Sequence, residues 1–110
     1  MANTWVTDMR HFLNEFGELP EEMPSPALKL ALYQGSIVAW MTGTNCLNGR
    51  ESRTNVNCRR SPNRRPCPGE IVAAFEATSE AIAWACPLCG DNGRISGWEG
   101  TAWDRRTPDA

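Results

Sequence analysis

The sequence predicts a single α+β domain in which two N-terminal helices pack on a C-terminal antiparallel sheet of three to four strands. A chain of 110 residues, of which 41% are hydrophobic and 22% charged, suits one packed core. Apolar residues recur at helical spacing up to residue 42, whereas from residue 53 their period changes to two. We therefore expect one domain over residues 1–110, with helices at about 7–16 and 26–42 and the sheet at about 53–104.

The first helix is predicted from four apolar side chains that recur at i, i+3, i+4 and i+7 and so form one stripe. Thr7 can cap the start of this helix, and Gly17 can end it in a left-handed conformation. The next ten residues contain three prolines and are expected to be extended. The residues of the stripe are Met9, Phe12, Leu13 and Phe16.

The second helix is predicted to begin with Ser25 as its N-cap and Pro26 at its first position, and to end at Gly43. Its apolar side chains lie on nearly every side, which is typical of a helix buried in a core. We expect Leu32 and Val38 to be buried in this core. An alternative is that one apolar face of the helix contacts another chain.

Alternating apolar residues predict the strands of the sheet. In the third strand, for example, Ile82, Trp84 and Cys86 share one face. The residues between the second and third strands are few enough for a tight turn, which indicates antiparallel neighbours. The predicted strands are residues 53–58, 70–76, 81–86 and 94–98.

The five cysteines point to a metal site, because a disulfide framework is unexpected in a chain without a recognisable secretion signal. Cys86 and Cys89 are separated by two residues and followed by glycine, a spacing that supplies half of a tetrahedral site. Cys58 ends one predicted strand and Cys67 precedes the next, so they are expected to lie together at the base of a loop. The predicted ligands are Cys58, Cys67, Cys86 and Cys89, with Cys46 left free.

One structural Zn²⁺ is the metal that this ligand set favours, because four protein ligands leave no open position for catalysis. A rubredoxin-like iron site that carries electrons is an alternative, since four sulfurs hold either metal in the same geometry. A redox-active dithiol is disfavoured, because the Cys86–Cys89 segment is predicted to join two strands and not to begin a helix.

These motifs resemble two groups of proteins. The predicted ribbon around Cys86 and Cys89 resembles the broad zinc-ribbon class. More narrowly, the stretch from Trp84 to Asp104 resembles the end of a family of small uncharacterised bacterial proteins, and the stretch from Cys58 to Gly69 and residues 8–13 match that family as well. The resemblance implies the same choice of cysteines and a zinc-ribbon-like sheet. It implies no activity, because the family has no assigned function.

The charge of the chain is distributed unevenly. Residues 50–65 carry six arginines and one glutamate, whereas the whole chain has a net charge of -2. The loop between Cys58 and Cys67 is therefore expected to contact nucleic acid or an acidic protein, although a merely solvated loop is the alternative. The residues proposed for this contact are Arg59, Arg60, Arg64 and Arg65.

The predicted function is that of a non-enzymatic, cytoplasmic zinc-binding protein, a monomer or weak homodimer with no membrane partner. A lone histidine, His11, without a nucleophile pattern gives no catalytic set. Trp98 and Trp103 are expected to pack against the sheet, although an aromatic binding platform is the alternative. A structural or interaction protein that acts through the apolar face of the second helix is the runner-up to the zinc-binding function.

Overall fold

The protein consists of one five-stranded mixed sheet with an α-helix against it. The structure is a computed structural model, which describes residues 4–44, 47, 49–61 and 64–106. The strands lie in the order β1-β5-β4-β3-β2 across the sheet. Buried side chains of the helix and of the central strands meet in one core, to which Ile37, Met41, Ile71 and Ile82 belong. Along the chain, the elements are β1 (Thr4–Asp8), a 3₁₀ helix (Met9–Phe12), α1 (Ser25–Gly43), β2 (Ser52–Asn57), β3 (Glu70–Glu76), β4 (Ala81–Ala85) and β5 (Asn92–Ser96).

The predicted fold class is wrong in three respects. Among the described residues there is one α-helix and not two, and the sheet has five strands and not three to four. The sheet is also mixed, because β1 pairs in parallel with β5 while the other neighbouring strands are antiparallel. The second helix is present, and the four predicted strands correspond to β2 to β5 with small shifts at their ends.

The segment predicted as the first helix forms β1 and a single 3₁₀ turn. Trp5, Val6 and Thr7 favour extended structure, and their backbone pairs with residues 93–95 of β5. Asp8 ends the strand and caps the 3₁₀ turn by accepting a hydrogen bond of 3.0 Å from the Arg10 N–H. Of the predicted apolar stripe, only Met9 is fully buried, and Phe16 is 77% exposed.

Helix α1 buries one side against the sheet and leaves the other in solvent. Ile37, Val38 and Met41 are fully buried, whereas Leu32 is 50% exposed. The expectation that Leu32 belongs to the core is therefore wrong, because its side of the helix faces an open groove beside residues 59–61. The N-cap is Pro24 and not Ser25, since Ser25 already has helical geometry.

The last described residues pack against α1 and the sheet. Trp98 is buried, and its indole N–H donates to the Glu80 carbonyl at 3.2 Å. Trp103 lies against Gly35, so closely that a side chain at position 35 would overlap the indole. The predicted packing role of both tryptophans therefore agrees with their positions in this structure.

Candidate metal centre

The four selected cysteines lie together at one end of the sheet. Their sulfur atoms all fall within 4.8 Å of one another. The Cys58 and Cys89 sulfurs are 3.6 Å apart, and the Cys67 and Cys86 sulfurs are 3.7 Å apart. All four cysteines are free thiols, so no disulfide competes for these sulfurs.

Two hairpins bring the cysteines together. Cys58 directly follows β2, and Cys67 lies in the segment that leads into β3. The Cys58 N–H donates to the Gly69 carbonyl at 2.8 Å, which closes the base of this loop beyond the strand ladder. Cys86 directly follows β4, and Cys89 lies in the turn into β5. Because β3 and β4 are antiparallel neighbours, the two connections meet at the same end of the sheet.

Backbone N–H groups point at the sulfurs of both connections. The Gly69 N–H donates to the Cys67 sulfur at 3.4 Å, and the Arg60 N–H donates to the Cys58 sulfur. In the second connection, the N–H groups of Leu88 and Cys89 donate to the Cys86 sulfur. Three cysteines thus receive a hydrogen bond from the residue two positions later. Such donors stabilise thiolates and orient them as metal ligands.

The spacing of the sulfurs fits a tetrahedral metal ion. A Zn–S bond of about 2.3 Å implies sulfur–sulfur separations of about 3.8 Å in a regular tetrahedron. The separations of 3.6 and 3.7 Å come close to this value. A cation with four sulfur ligands therefore fits the cluster, and the residues present could hold it without a change of fold.

The surroundings of the cluster raise the pKa of the Cys58 thiol and lower the pKa of the Cys86 thiol. Burial, with a further contribution from the other sulfurs, raises the pKa of Cys58 to about 12. Burial is the largest influence on Cys86 and opposes its ionisation, but hydrogen bonds from the N–H groups of Cys89 and Leu88 and from the Cys67 and Cys89 thiols together lower the pKa of Cys86 to about 7. The cluster therefore resists carrying several negative charges at once, and a bound cation would remove that repulsion.

Cys46 lies outside the described residues, so the expectation that it is free stays a prediction. His11 is exposed on the 3₁₀ turn, where its Nε2 lies 3.8 Å from an Asp8 carboxylate oxygen. Among the described residues, His11 does not belong to the four-sulfur cluster.

The arginine loop (residues 59–66) is exposed at the positions that the structure describes, residues 59–61 and 64–66. Arg59, Arg60, Arg64 and Arg65 are all exposed. Arg59 leaves the loop toward α1, and its guanidinium carbon lies 5.3 Å from the centre of the Tyr33 ring. The loop therefore reaches α1 through Arg59, a contact that the sequence did not predict.

An open groove of about 790 Å³ runs between α1 and the loop. Three cationic side chains line it: Lys29, Arg59 and Arg60. Leu32 and Tyr33 supply apolar and aromatic surface in the same groove. The groove thus combines positive charge with an aromatic ring, a combination that suits a phosphate backbone with stacking bases.

A smaller cavity of about 40 Å³ opens beneath Arg59 and Arg60 and shares Tyr33 with the groove. Gln34 and Trp84 line it and are almost completely buried. Sequence analysis missed this cavity, although a glutamine within an apolar helix was a signal that could have pointed to it.

Comparison of the chain with protein-family models, with curated proteins and with solved structures finds no match. The resemblance to zinc ribbons is therefore neither supported nor contradicted by these comparisons. The class that the fold and site define is a mixed α/β domain with a candidate four-cysteine metal centre. Within the part of the chain that the structure describes, none of the helices has the length and apolar character needed to cross a bilayer.

Proposed function

We propose that the protein is a non-enzymatic, cytoplasmic zinc-binding protein in which one Zn²⁺, held by Cys58, Cys67, Cys86 and Cys89, stabilises the fold. The observation that carries this proposal is the convergence of four sulfurs within 4.8 Å from two separate hairpins. Four protein ligands fill a tetrahedral site, so the metal has a structural role and offers no position for a substrate.

The metal would tie the β2–β3 loop to the β4–β5 turn. The residues between Cys58 and Cys67 are only Arg, Pro, Ser and Asn, so this loop has no large apolar side chain of its own to hold it against the turn. Apparent zinc affinities in small domains correspond to about 10–16 kcal/mol, so a large part of the folding free energy of this end of the sheet depends on the ion.

Removal of the metal tests this proposal. A chelator should release one Zn²⁺ per chain and unfold the hairpin ends, with loss of amide protection around the four cysteines. The alternative of a rubredoxin-like iron centre predicts a red protein with visible absorption, whereas a zinc centre is colourless. A colourless protein that contains no bound metal, and whose amide protection does not change when the chelator is added, would contradict both the zinc centre and the iron centre.

We further propose that the cationic groove binds the phosphate backbone of a single-stranded nucleic acid. Lys29, Arg59 and Arg60 line one open surface, and Tyr33 adds an aromatic ring with the Arg59 guanidinium over it. Arg64 and Arg65 extend the positive charge along the loop. An acidic protein is the other class of partner that this charge would attract, and the aromatic ring favours nucleic acid over it.

Salt-dependent binding of an oligonucleotide tests the groove. The slope of log affinity against log salt should be about -0.7 for each phosphate contacted on a single strand, so about -2 for the three groove cations. R59S/R60S should remove most of this slope. R64S/R65S changes the charge equally but alters residues outside the groove, so it should have the smaller effect. Binding that is equal in both double variants would contradict the groove.

The exposed face of α1 supports a second candidate function. Leu32 is half exposed and lines the groove, so an apolar side chain of a partner could pack there. L32N should abolish such an interaction, whereas it adds no charge to the groove and should affect oligonucleotide binding only modestly. Measurement of both distinguishes the two candidates.

A further inference from the structure

The small cavity beside the metal centre has an unusual set of walls. Its volume is about 40 Å³, and it lies between α1, β4 and the start of β5. Gln34 is fully buried there, and Trp84 is 3% exposed. Arg59 and Arg60 stand where the cavity meets the larger groove.

Polar atoms in these walls lack partners. Among the described residues, no hydrogen-bond partner is found for the Tyr33 hydroxyl, for either atom of the Gln34 amide, or for the Trp84 indole N–H. Buried polar groups in proteins are nearly always hydrogen-bonded, because an unpaired one loses its interactions with water without replacement. Four such atoms, on three side chains that line one cavity, therefore indicate a polar occupant, of which a water molecule is the smallest.

The chemistry of the walls restricts that occupant. The Trp84 indole and the Gln34 Nε2 donate hydrogen bonds, whereas the Gln34 Oε1 only accepts them. The Asp91 carboxylate also lines the cavity and accepts a hydrogen bond of 3.1 Å from the Trp5 indole N–H. A phosphate group would be repelled by these acceptor oxygens. A planar group that carries donors and acceptors side by side satisfies the walls.

We propose that the cavity receives the hydrogen-bonding edge of one nucleobase from a single strand whose phosphates lie on Lys29, Arg59 and Arg60. This inference rests on the proposed binding of nucleic acid in the groove. It adds that the protein distinguishes bases and does not bind the backbone alone.

The volumes of the cavity and of the groove agree with this arrangement. A cavity of about 40 Å³ has room for only a few atoms, such as the amino and carbonyl groups on the edge of a base. The ring of the base would remain in the groove, where the Arg59 guanidinium, which itself lies over the Tyr33 ring, offers a planar surface for stacking. Trp5 is 44% exposed, also lines the cavity and offers an aromatic surface.

The cavity is also built on the candidate metal centre. The Cys86 N–H donates to the Asp91 carbonyl at 2.7 Å, and Trp84 lies two residues before Cys86. Arg59 follows Cys58 directly. Residues on both sides of the cavity are therefore positioned by the connections that the metal would hold.

Binding of short single strands to the zinc-loaded full chain tests the inference. Strands of about ten nucleotides that contain only A, only C or only T are compared with an abasic strand of the same length. We expect at least one base to bind about tenfold more tightly than the abasic strand, as one paired set of hydrogen bonds provides. Q34M keeps the side-chain volume but removes both hydrogen-bonding atoms, and should reduce this ratio to about twofold or less while the salt dependence remains.

I37M is the matched control, because Ile37 is equally buried in α1 and does not line the cavity. It should leave the ratio unchanged. A second measurement uses the unaltered chain: on addition of the strand, the NMR signals of the Trp5 and Trp84 indole N–H groups should shift. The signal of the Trp98 indole should not, because it is engaged with the Glu80 carbonyl on another part of the sheet.

Three results would overturn the inference. Equal affinity for abasic and base-containing strands would show backbone binding alone, and the proposed function of the groove would survive. An unchanged ratio in Q34M with no shift of the Trp84 signal would place base recognition elsewhere. The absence of binding by any strand at low salt would overturn both this inference and the proposed binding of nucleic acid.

Discussion

Gly69 and Cys86 are in contact across the candidate metal centre, although they belong to different hairpins. A Cβ atom placed on Gly69 would overlap the Cys86 sulfur and would also lie 3.4 Å from the Cys67 sulfur. The absence of a side chain at position 69 therefore allows the two halves of the cluster to approach. The Gly69 N–H also donates to the Cys67 sulfur, so this residue both admits and orients ligands.

Gly69→Ala should weaken metal binding by at least about tenfold, because the added methyl group pushes Cys86 away from the other sulfurs. Competition for the metal with a chromophoric chelator measures this effect. Gly43→Ala is the control, since a Cβ there meets only the Arg105 side chain at an ordinary 3.7 Å. An affinity of Gly69→Ala equal to that of the unaltered chain would show that the cluster tolerates wider spacing.

Replacement of any one of Cys58, Cys67, Cys86 and Cys89 by serine should lower metal occupancy and expose the hairpin ends. Loss of a ligand from a closed site removes both a bond and the tetrahedral geometry. Elemental analysis and hydrogen exchange measure the two effects. Cys46→Ser is the matched control and should be mild; strong metal loss in this variant would add Cys46 to the ligands.

The four-cysteine cluster could be predicted from the sequence because its signals are local. The Cys86–Cys89 spacing marks one half, and strand phase places Cys58 and Cys67 on either side of a loop. The parallel pairing of β1 with β5 was not accessible, because it joins residues 4–8 to residues 92–96. The apolar spacing after Thr7 that predicts an α-helix also occurs where a strand ends and a 3₁₀ turn follows. Local spacing therefore does not distinguish these two structures.

The two sides of α1 should differ in their contribution to stability. Ile37→Ala should cost about 2–5 kcal/mol, because Ile37 is fully buried in the core. Leu32→Ala should cost less than about 1 kcal/mol, since half of its side chain is already in solvent. Urea denaturation of the metal-loaded protein measures both values. Similar losses in the two variants would mean that a partner chain covers Leu32.

The burial of Gln34 shows a second limit of sequence analysis. A helix that is apolar on nearly every side was read as a core element on both faces, yet the structure leaves Leu32 exposed and buries a glutamine. Which face a helix buries depends on the strands that lie against it, and those come from residues 52–96. Helical spacing alone does not contain that information.

Low pH should destabilise the turn that the Asp104 carboxylate holds at residues 100–106. The Arg106 guanidinium, assisted by the Gly100 and Arg106 N–H groups, lowers the pKa of Asp104 to about 2 from its ordinary 3.8. The carboxylate therefore contributes stability above about pH 4, and this contribution is lost as the pH falls toward 2.

Asp104→Asn tests this contribution. The variant should be about 1–2 kcal/mol less stable than the unaltered chain at pH 7, and the difference should shrink below about pH 4. Paired denaturation curves at each pH separate this effect from acid loss of the metal, which affects both chains equally. Glu21→Gln changes an exposed carboxylate and serves as the control. A difference that persists unchanged below pH 3 would indicate a loss of packing and not of charge.

Native mass spectrometry of the intact protein measures whether Cys58, Cys67, Cys86 and Cys89 together hold one structural zinc ion. Protein purified without added metal should carry one Zn²⁺ per chain, and the mass of the complex should exceed that of the metal-free chain by one zinc less two protons, as replacement of two protons by a divalent ion requires. Acidification should release the ion and shift the charge-state distribution toward that of an unfolded chain. A protein that is folded and metal-free under these conditions, or that carries iron in place of zinc, would contradict the account.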